Sequence, residues 1–195
     1  MQLRSERIPS GARGFSIVEV MVALLVISTG LLGIAKLQAL ALSNTSGARL
    51  RALASIEAAS LAATMQADRN YWGTITAKTT ATVLNGTVTA ASDGVLNTAV
   101  ECTLGAPGSV APCTAQQMAA YDLQQWATAL QNVLGAGGQS PNNAAISCTV
   151  PTATDPVSCM ITINWTESQV AANAVEAGGD ASALTNPSYT LYVDP

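Results

Sequence analysis

One segment near the amino terminus constrains what this chain can fold into more than any other. Residues Val20–Ala35 form a run of sixteen uncharged residues, VMVALLVISTGLLGIA, and Ile17, Val18 and Leu37 extend the apolar stretch. Sixteen helical residues span about 24 Å at ~1.5 Å per residue, slightly less than a hydrocarbon core of ~30 Å. We therefore predict a membrane-spanning helix within residues 15–42.

Three interpretations are compatible with this apolar segment. The first two, a cleaved secretory signal and a plain membrane anchor, do not account for all of its features. A cleaved secretory signal would have a small-residue site at Ala39-Leu40-Ala41, but its apolar region normally runs only ~7–15 residues. A plain membrane anchor gives no role to Glu19, whose carboxylate costs free energy at the edge of the apolar run unless it is paired. Three basic residues precede the span and three follow it, so flanking charge leaves its orientation open.

The residues just before the apolar run supply the third interpretation. Gly14-Phe15-Ser16-Ile17-Val18-Glu19, followed by a continuous apolar run, resembles the class III signal of type IV prepilins. The resemblance implies that prepilin peptidase cuts after Gly14 and that Phe15 becomes an N-methylated amino terminus. It also implies an assembly role for Glu19, which would set the register between subunits by meeting the terminal ammonium of a neighbour in the apolar filament core. In a low dielectric such an ion pair is strongly oriented, and an unpaired carboxylate is penalised.

The sequence after the apolar run predicts a continuation of the same helix. Residues 49–70 are rich in Ala, the best helix former, and contain no Pro. Apolar side chains at helical spacing form one side of this segment: Leu50, Leu53, Ala54, Leu61 and Met65. Glu57 and Asp68 fall on the same side and interrupt the stripe, which we expect to pack on a sheet.

Local signals predict a hairpin and a second helix in the remainder. Asn85-Gly86 stands between β-branched residues in TTATVLNGTVTAA, which is typical of a two-residue hairpin turn. After Cys113, Thr114 and Gln117 form a capping box for a helix that Gly135 ends. Its expected buried side consists of Met118, Leu123, Trp126, Leu130, Val133 and Leu134.

Three further strands are expected towards the carboxyl end. They are Ala145–Val150, Val157–Thr166 and Pro187–Asp194, and the turn residues TATDP separate the first two. Alternation places the following residues on inward faces: Ile146, Cys148 and Val150; Cys159, Ile161, Ile163 and Trp165; Tyr189, Leu191 and Val193. The segment 168–186 is rich in Ala, Gly, Asn and Ser, and we predict that it is a loop.

Four cysteines allow three disulfide connectivities. Spacing favours Cys102 with Cys113 and Cys148 with Cys159, because each pair encloses ten residues punctuated by Gly or Pro. Disulfides would place this part of the chain in an oxidising compartment. A zinc site is the alternative, but gaps of ten residues do not match the usual spacing of two to four between ligand cysteines.

Composition and charge exclude several classes of function. The chain contains no histidine, which removes the commonest general base and metal ligand, so we expect no enzyme activity and no metal or cofactor. All eight Lys and Arg residues lie at or before Lys78, and eight acidic residues follow it. A carboxyl-terminal half with a net charge of −8 cannot neutralise phosphates, so we expect no nucleic-acid partner.

Two later segments narrow the resemblance to the PilV group of minor pilins. They are CTAQQMAAYDL from Cys113 to Leu123, with Trp126 after it, and CMITINW from Cys159 to Trp165. The end of the Ala-rich helix, MQADRN from Met65 to Asn70, also resembles that group. Lys36 occupies the place where major pilins usually carry a kinking proline.

The resemblance carries expectations about fold, location and partners. It implies an α+β, type IV pilin-like fold, in which a long N-terminal helix packs on a small antiparallel sheet domain with a second helix. The expected domains are a leader (1–14), a transmembrane or filament-core half-helix (15–42) and a periplasmic head (43–195). The implied location is the inner membrane of a Gram-negative bacterium, and then the pilus, at or near its tip. The implied partners are other minor pilins and the major pilin through the N-terminal helix, prepilin peptidase, the inner-membrane assembly machinery and a tip adhesin.

Three other functions share part of this pattern. A minor pseudopilin of the GspI group, from type II secretion, would have the same signal and helix but serve a different machine. A periplasmic binding module exported by the general secretory route would end its signal near Leu42. A membrane-anchored enzyme would need a pocket and a base that the sequence does not indicate.

Overall fold

The computed structural model describes residues 14–98, 101–102, 113–135, 143–152, 155–170 and 182–195. The chain divides into two compact units between Ala41 and Leu42. Helix α1 (Ile17–Ala67) contributes its first part to one unit and its second part to the other. Each unit is described separately below.

The first unit consists of the apolar part of α1. This helix is long and apolar enough to cross a membrane. Two hydroxyl side chains bond within the helix: the Ser28 hydroxyl donates to the Leu25 carbonyl at 2.9 Å, and the Thr29 hydroxyl contacts the Leu25 and Val26 carbonyls. Internal partners of this kind allow hydroxyl groups to reside in lipid, where no water satisfies them.

The second unit contains an antiparallel sheet of five strands. The strands in the described residues are β1 (Thr79–Leu84), β2 (Thr87–Ala91), β3 (Asn143–Cys148), β4 (Cys159–Asn164), β5 (Glu167–Val170), β6 (Ser182–Thr185) and β7 (Ser188–Val193). The order in the five-stranded sheet is β2-β1-β3-β4-β7, and β5 and β6 pair with each other. The helical elements after α1 are a single turn, α2 (Arg69–Trp72), a 3-10 helix (Gly94–Asn97) and α3 (Ala115–Leu134).

The prediction that residues 168–186 form a loop is wrong at both ends. Strand β5 continues β4 after a short interruption, and β6 leads into β7, so the antiparallel pairing of β4 with β7 extends into that of β5 with β6. Between the two pairs, the Trp165 amide donates to the Pro187 carbonyl at 3.2 Å, and the Thr166 hydroxyl donates to the Asn186 side chain at 3.1 Å. The composition here is poor in strand formers, so pairing with a neighbour decided the outcome. Residues 171–181 lie outside the described part.

Other boundaries differ from the predictions by a few residues. Helix α1 ends at Ala67 rather than continuing to residue 70, and Asp68 separates it from α2. Strand β3 begins at Asn143 and ends at Cys148, two residues earlier at each end than expected. Val150, which was predicted to face inward, follows the strand and is 41% exposed.

The predicted hairpin at Asn85-Gly86 is confirmed. Both residues have positive φ, 50° and 78°, and they connect β1 directly to β2. Two consecutive left-handed residues are what a two-residue turn of the twist-compatible type requires, and Asn and Gly adopt them at the least steric cost. The turn also lies against α3, because a Cβ added to Gly86 would come within 2.9 Å of Gln131 Cβ.

Helix α3 begins and ends where its sequence predicts. The Thr114 side chain accepts from the Gln117 amide while the Gln117 side chain accepts from the Thr114 amide, which completes the capping box. Leu123, Trp126, Leu130 and Leu134 are buried, whereas Met118 and Val133 are only half-buried. Trp126 is a core residue, and its Nε1 donates to the Glu57 carbonyl of α1 at 2.8 Å.

The core of the second unit lies between the helices and the inner face of the sheet. Helix α1 contributes Ala54, Ala58, Leu61 and Met65 at helical spacing. Facing them, β3 and β4 contribute Ile146, Ile161 and Ile163, together with the paired Cys148 and Cys159. A long N-terminal helix, a five-stranded antiparallel sheet and another helix make this an α+β, pilin-like architecture.

The turn gives a test of the local fold. Gly86→Ala should lower the free energy of unfolding by about 1–2 kcal/mol, because a Cβ strains a left-handed residue, and its crowding of Gln131 adds to the cost. Gly94→Ala is the matched control, since a Cβ there would meet no atom within 4 Å. Urea unfolding of the full chain in detergent measures both. Equal stabilities of the two variants would contradict the left-handed turn conformation of Gly86 and its close contact with Gln131.

Candidate functional site

The signal residues lie at the start of α1. Gly14, Phe15 and Ser16 precede the helix, which begins at Ile17, and Glu19 lies in its first turn. The Glu19 amide donates to the Ser16 carbonyl at 3.0 Å. A carboxylate in the first turn is favourably placed against the positive end of the helix dipole.

The first part of α1 presents apolar side chains on all sides. Fifteen large apolar side chains between Phe15 and Leu42 are exposed, and Phe15 itself is 81% exposed. Soluble monomers rarely expose a contiguous apolar patch larger than a few hundred Å². This part of the helix therefore requires lipid or other apolar helices around it.

Glu19 shares this exposure. Within the described part of the chain, no cation forms a salt bridge with its carboxylate. In an apolar environment a carboxylate is stabilised only by a partner that donates charge or hydrogen bonds. The geometry thus places one acidic group at the beginning of a helix whose surroundings must be apolar.

Comparison with known families identifies this segment. Residues 9–35 match the family model described as the prokaryotic N-terminal methylation motif. The chain carries the class III signal of type IV pilin-like proteins. This signal supports a pilin or pseudopilin, and it suggests a structural subunit rather than an enzyme. Neither a curated protein nor a solved structure matched the chain.

The four cysteines form two disulfides in the second unit. Cys102 pairs with Cys113, with Cα atoms 5.8 Å apart, and Cys148 pairs with Cys159, with Cα atoms 4.0 Å apart. This is the pairing that spacing favoured. Cys148 and Cys159 stand opposite each other in the register of β3 and β4, and both are fully buried. No group of three or more metal-ligating side chains is present among the residues that the structure describes.

A buried carboxylate that the sequence did not indicate ties the sheet to α1. Glu167 is only 3% exposed, and its Oε1 accepts from Trp165 Nε1 at 2.9 Å. Arg51 approaches from α1 and donates to both carboxylate oxygens, from Nε at 3.3 Å and from Nη2 at 3.2 Å. Gly47 provides the space, because a Cβ there would lie 3.2 Å from Oε2. The contact joins residues 116 positions apart, so no local pattern could reveal it.

A second polar network holds α2, the 3-10 helix and α3 together. The Tyr71 hydroxyl donates to Asp93 Oδ2 at 2.7 Å, and Gln116 Nε2 donates to both Asp93 oxygens at 3.0 and 2.8 Å. The Val95 amide donates to Oδ1 at 3.1 Å. Burial alone would raise the pKa of Asp93, but these hydrogen bonds outweigh burial and hold that pKa below its usual range. Burial and the ionised Asp93 raise the pKa of Tyr71 above its usual range.

A cavity of about 440 Å³ opens beside this network. Tyr71, Lys78, Ser92 and Asp93 are among the side chains that line it. Hydrogen bonds lower the pKa of Asp93, and burial together with the Asp93 carboxylate raises the pKa of Tyr71, so neither group is suited to exchanging a proton near neutral pH. The network therefore acts as a structural tie between elements.

Three other acidic groups in this unit have pKa values that shift upwards, in the opposite direction to that of Asp93. Burial raises the pKa values of Glu57 and Asp122. Burial and the nearby charge of Asp122 raise that of Asp68, although a hydrogen bond from the Tyr71 amide opposes the shift. Asp68 Oδ2 is buried and accepts no hydrogen bond from the residues that the structure describes. Protonation of these groups removes the cost of burying a negative charge. Their contribution to the free energy of unfolding therefore increases as the pH falls.

The tie between Arg51 and Glu167 yields a stability prediction. Arg51→Met should lower the free energy of unfolding by about 1–3 kcal/mol, because it leaves a buried carboxylate with Trp165 as its remaining donor. The double variant Arg51→Met/Glu167→Gln should recover part of that loss, since the uncompensated charge is gone.

The matched control is Arg49→Met on the exposed surface of α1. Chemical denaturation of the full chain in detergent should show little change for it. A cost for Arg51→Met no larger than for Arg49→Met would refute the tie.

The Asp93 network predicts a pH-dependent cost. Tyr71→Phe should lower the free energy of unfolding by about 0.5–1.5 kcal/mol near pH 7. The contribution of ionised Asp93 is present above the pKa of the unfolded chain and is lost as the pH falls through the lower folded pKa. The difference between wild type and Tyr71→Phe should therefore shrink towards roughly pH 3.

Tyr192→Phe is the matched control, because its side chain is 70% exposed. Its effect should be small at both pH values. A cost for Tyr71→Phe that stays constant from neutral to acid pH would show that the hydroxyl does not act through the Asp93 charge.

Proposed function

We propose that this chain is a minor pilin of a type IV pilus, of the PilV type. In this role it is a low-abundance subunit that joins other minor pilins at the inner membrane, helps to prime assembly and sits at or near the tip. The observation that carries the proposal is the exposed apolar helix that follows a class III signal and contains Glu19 in its first turn.

The geometry around the proposed cleavage site supports processing by prepilin peptidase. Gly14 and Phe15 lie outside the helix, and among the described residues no atom beyond the adjacent ones lies within 4 Å of the position that a Gly14 Cβ would occupy. A protease needs an extended, accessible backbone, so the bond between these residues is suitable. Cleavage would leave Phe15 with a free amine, which is the group that becomes methylated in this role.

The proposed role of Glu19 follows from the cost of burying charge. When α1 packs among partner helices, its carboxylate needs a cation, and the terminal ammonium of a neighbouring subunit supplies one. Two unit charges about 4 Å apart attract by ~4 kcal/mol at an effective dielectric of ~20. Because an axial shift of a partner helix would break the pair, the interaction sets the register between subunits.

Two features support a minor subunit rather than a bulk filament subunit. Lys36 stands where major pilins usually carry a kinking proline, and α1 passes through this position without interruption. The cysteines close two short loops, each between residues eleven positions apart, rather than one long loop.

The proposed location and partners agree with the chemistry of the second unit. Disulfides persist in an oxidising compartment, so this unit would lie in the periplasm before assembly and on the pilus afterwards. Other minor pilins and the major pilin would contact α1, prepilin peptidase and the inner-membrane assembly machinery would process and load the subunit, and a tip adhesin is a further candidate partner. The acidic surface would face these partners.

A minor pseudopilin of type II secretion is the second candidate, because the same signal serves both machines. Deleting the gene separates the two functions. Loss of pili and of twitching motility would support the pilin, whereas loss of protein secretion with normal pili would support the pseudopilin.

The signal predicts the mature amino terminus, and it predicts how replacing Glu19 affects incorporation into filaments. Mass spectrometry of the protein from its own cells should find an N-methylated Phe15 at the amino terminus. Glu19→Ala should still enter the membrane and be processed. Its amount in sheared filaments should fall at least about tenfold, since losing even ~1.4 kcal/mol of pairing is a factor of ten.

Glu101→Gln is the control for loss of one acidic group, because Glu101 is exposed in the second unit. It should assemble normally. An amino terminus at Met1 or near Leu42 would overturn the proposal, and normal incorporation of Glu19→Ala would remove the register role.

A further inference from the structure

The two edges of the five-stranded sheet are not equivalent. Strand β2, at one edge, contacts the 3-10 helix and α3, and its register with β1 shifts between Thr82 and Val83. Strand β7, at the other edge, pairs with β4 on one side, and none of the other described strands pairs with its second side. An edge strand exposes a row of backbone donors and acceptors that can pair with another chain.

The backbone groups on the open side of β7 can be named. The Trp165 amide donates to the Pro187 carbonyl, so the backbone of residue 187 points towards β4. Because hydrogen-bonding direction alternates along a strand, Tyr189, Leu191 and Val193 also point towards β4. The amides and carbonyls of Ser188, Thr190 and Tyr192 therefore point away from the sheet.

In the part of the chain that the structure describes, strand β7 has none of the usual features that protect an edge. Its sequence is SYTLYV, with no charge, Pro or Gly, and its six residues pair with β4 in unbroken register. Natural edges are normally blocked by Lys, Pro, a bulge or a covering element. The strand is rich in residues that favour β structure. It is therefore well suited to accept a further strand.

The inner face of the sheet is also incompletely covered at this edge. Ile161 and Ile163 of β4 are fully buried, but Leu191 and Tyr189, which pair with them in β7, are only half-buried. A strand added beside β7 would cover these two side chains with its own inward residues. On the outer face, Tyr192 is largely exposed and stands opposite Met160.

We propose that β7 binds an extended segment of a different pilin-type subunit as a sixth strand of the sheet. The three outward amides and carbonyls supply the affinity, and apolar residues of the incoming strand contact Tyr189 and Leu191. The proposal deepens the proposed function, on which it rests, by naming the surface through which the exported unit holds its partner.

Charge distinguishes a different subunit from a second copy of this chain. No Lys or Arg follows Lys78, and eight acidic residues do. Two copies joined edge to edge would bring two acidic surfaces together, which is unfavourable. Asp194 follows β7 immediately, so the incoming strand is expected to carry Lys or Arg where it passes this residue.

Hydrogen exchange resolved to single amides tests the pairing. In the isolated full chain in detergent, the amides of Ser188, Thr190 and Tyr192 should exchange fast, whereas those of Tyr189, Leu191 and Val193 should be protected by β4. In the assembly extracted from the membrane with its partner subunits, exchange of the three outward amides should slow by at least about tenfold.

Substitutions at Thr190 test the same point in cells. Thr190→Pro removes an outward amide and should be tolerated by the fold, because Pro is accepted on an edge strand when its nitrogen faces away from the sheet. It should lower the amount of the protein in filaments at least about tenfold. Thr190→Ala, which also lacks the hydroxyl but keeps the amide, should assemble normally. Thr190→Lys should behave like the Pro variant if a charge blocks the edge.

A photo-crosslinking residue in place of Tyr192 identifies the occupant. A product with a different pilin-type subunit, at a strand near a Lys or Arg, supports the proposal. A product with a second copy of this chain overturns it. Outward amides that are already protected in the isolated chain, or that stay unprotected in the assembly, overturn it as well.

These results are distinguishable from failure of the proposed function. The wild-type chain with methylated Phe15 in filaments, together with normal incorporation of Thr190→Pro, would remove only the role of β7. Absence of the wild-type chain from pili would overturn the proposed function itself.

Discussion

The apolar surface of α1 between Phe15 and Leu42 must be kept away from water, and the other requirements of this protein follow from that constraint. Its large side chains are exposed on every side of the helix, so burial against one neighbour in the same chain would leave the rest uncovered. A bilayer covers all sides at once, and a bundle of similar helices does the same. The single acidic residue in the first turn, Glu19, then needs a polar partner in either setting.

The second unit has a different physical requirement, because it must pack the second part of a long helix against a small sheet with few aromatic residues. Helix α1 contributes Ala54 and Ala58 to the core that it shares with the sheet, and the disulfide between Cys148 and Cys159 links two adjacent strands of that sheet. Polar ties complete the attachment at two places. Glu167, the first residue of β5, joins that strand to Arg51, and Asp93 joins the 3-10 helix to Tyr71 and Gln116.

Charged residues are unevenly distributed along the chain, and the acidic ones do not all respond to their surroundings in the same way. Basic residues are confined to the part up to Lys78, and the acidic remainder includes groups whose pKa values shift in opposite directions. Hydrogen-bond donors stabilise the ionised form of Asp93, whereas burial disfavours the ionised forms of Glu57 and Asp122. As the pH falls, protonation of Asp93 weakens its hydrogen-bond network and lowers the stability of this unit. Protonation of Glu57 and Asp122 acts in the opposite direction, because it removes the cost of burying their charges.

The sequence determined the features that depend on near neighbours in the chain. The uncharged run predicted the membrane-type helix, Asn85-Gly86 the hairpin, and Thr114 with Gln117 the start of α3, because each is set by backbone preferences within a few residues. Tertiary structure alone decided the pairing of β5 with β6, the burial of Glu167 beside Gly47 and Arg51, and the position of β7 at the edge of the described sheet. These features depend on which distant segments become neighbours. In β5 and β6, the hydrogen bonds between the two strands outweighed a composition that favours loops.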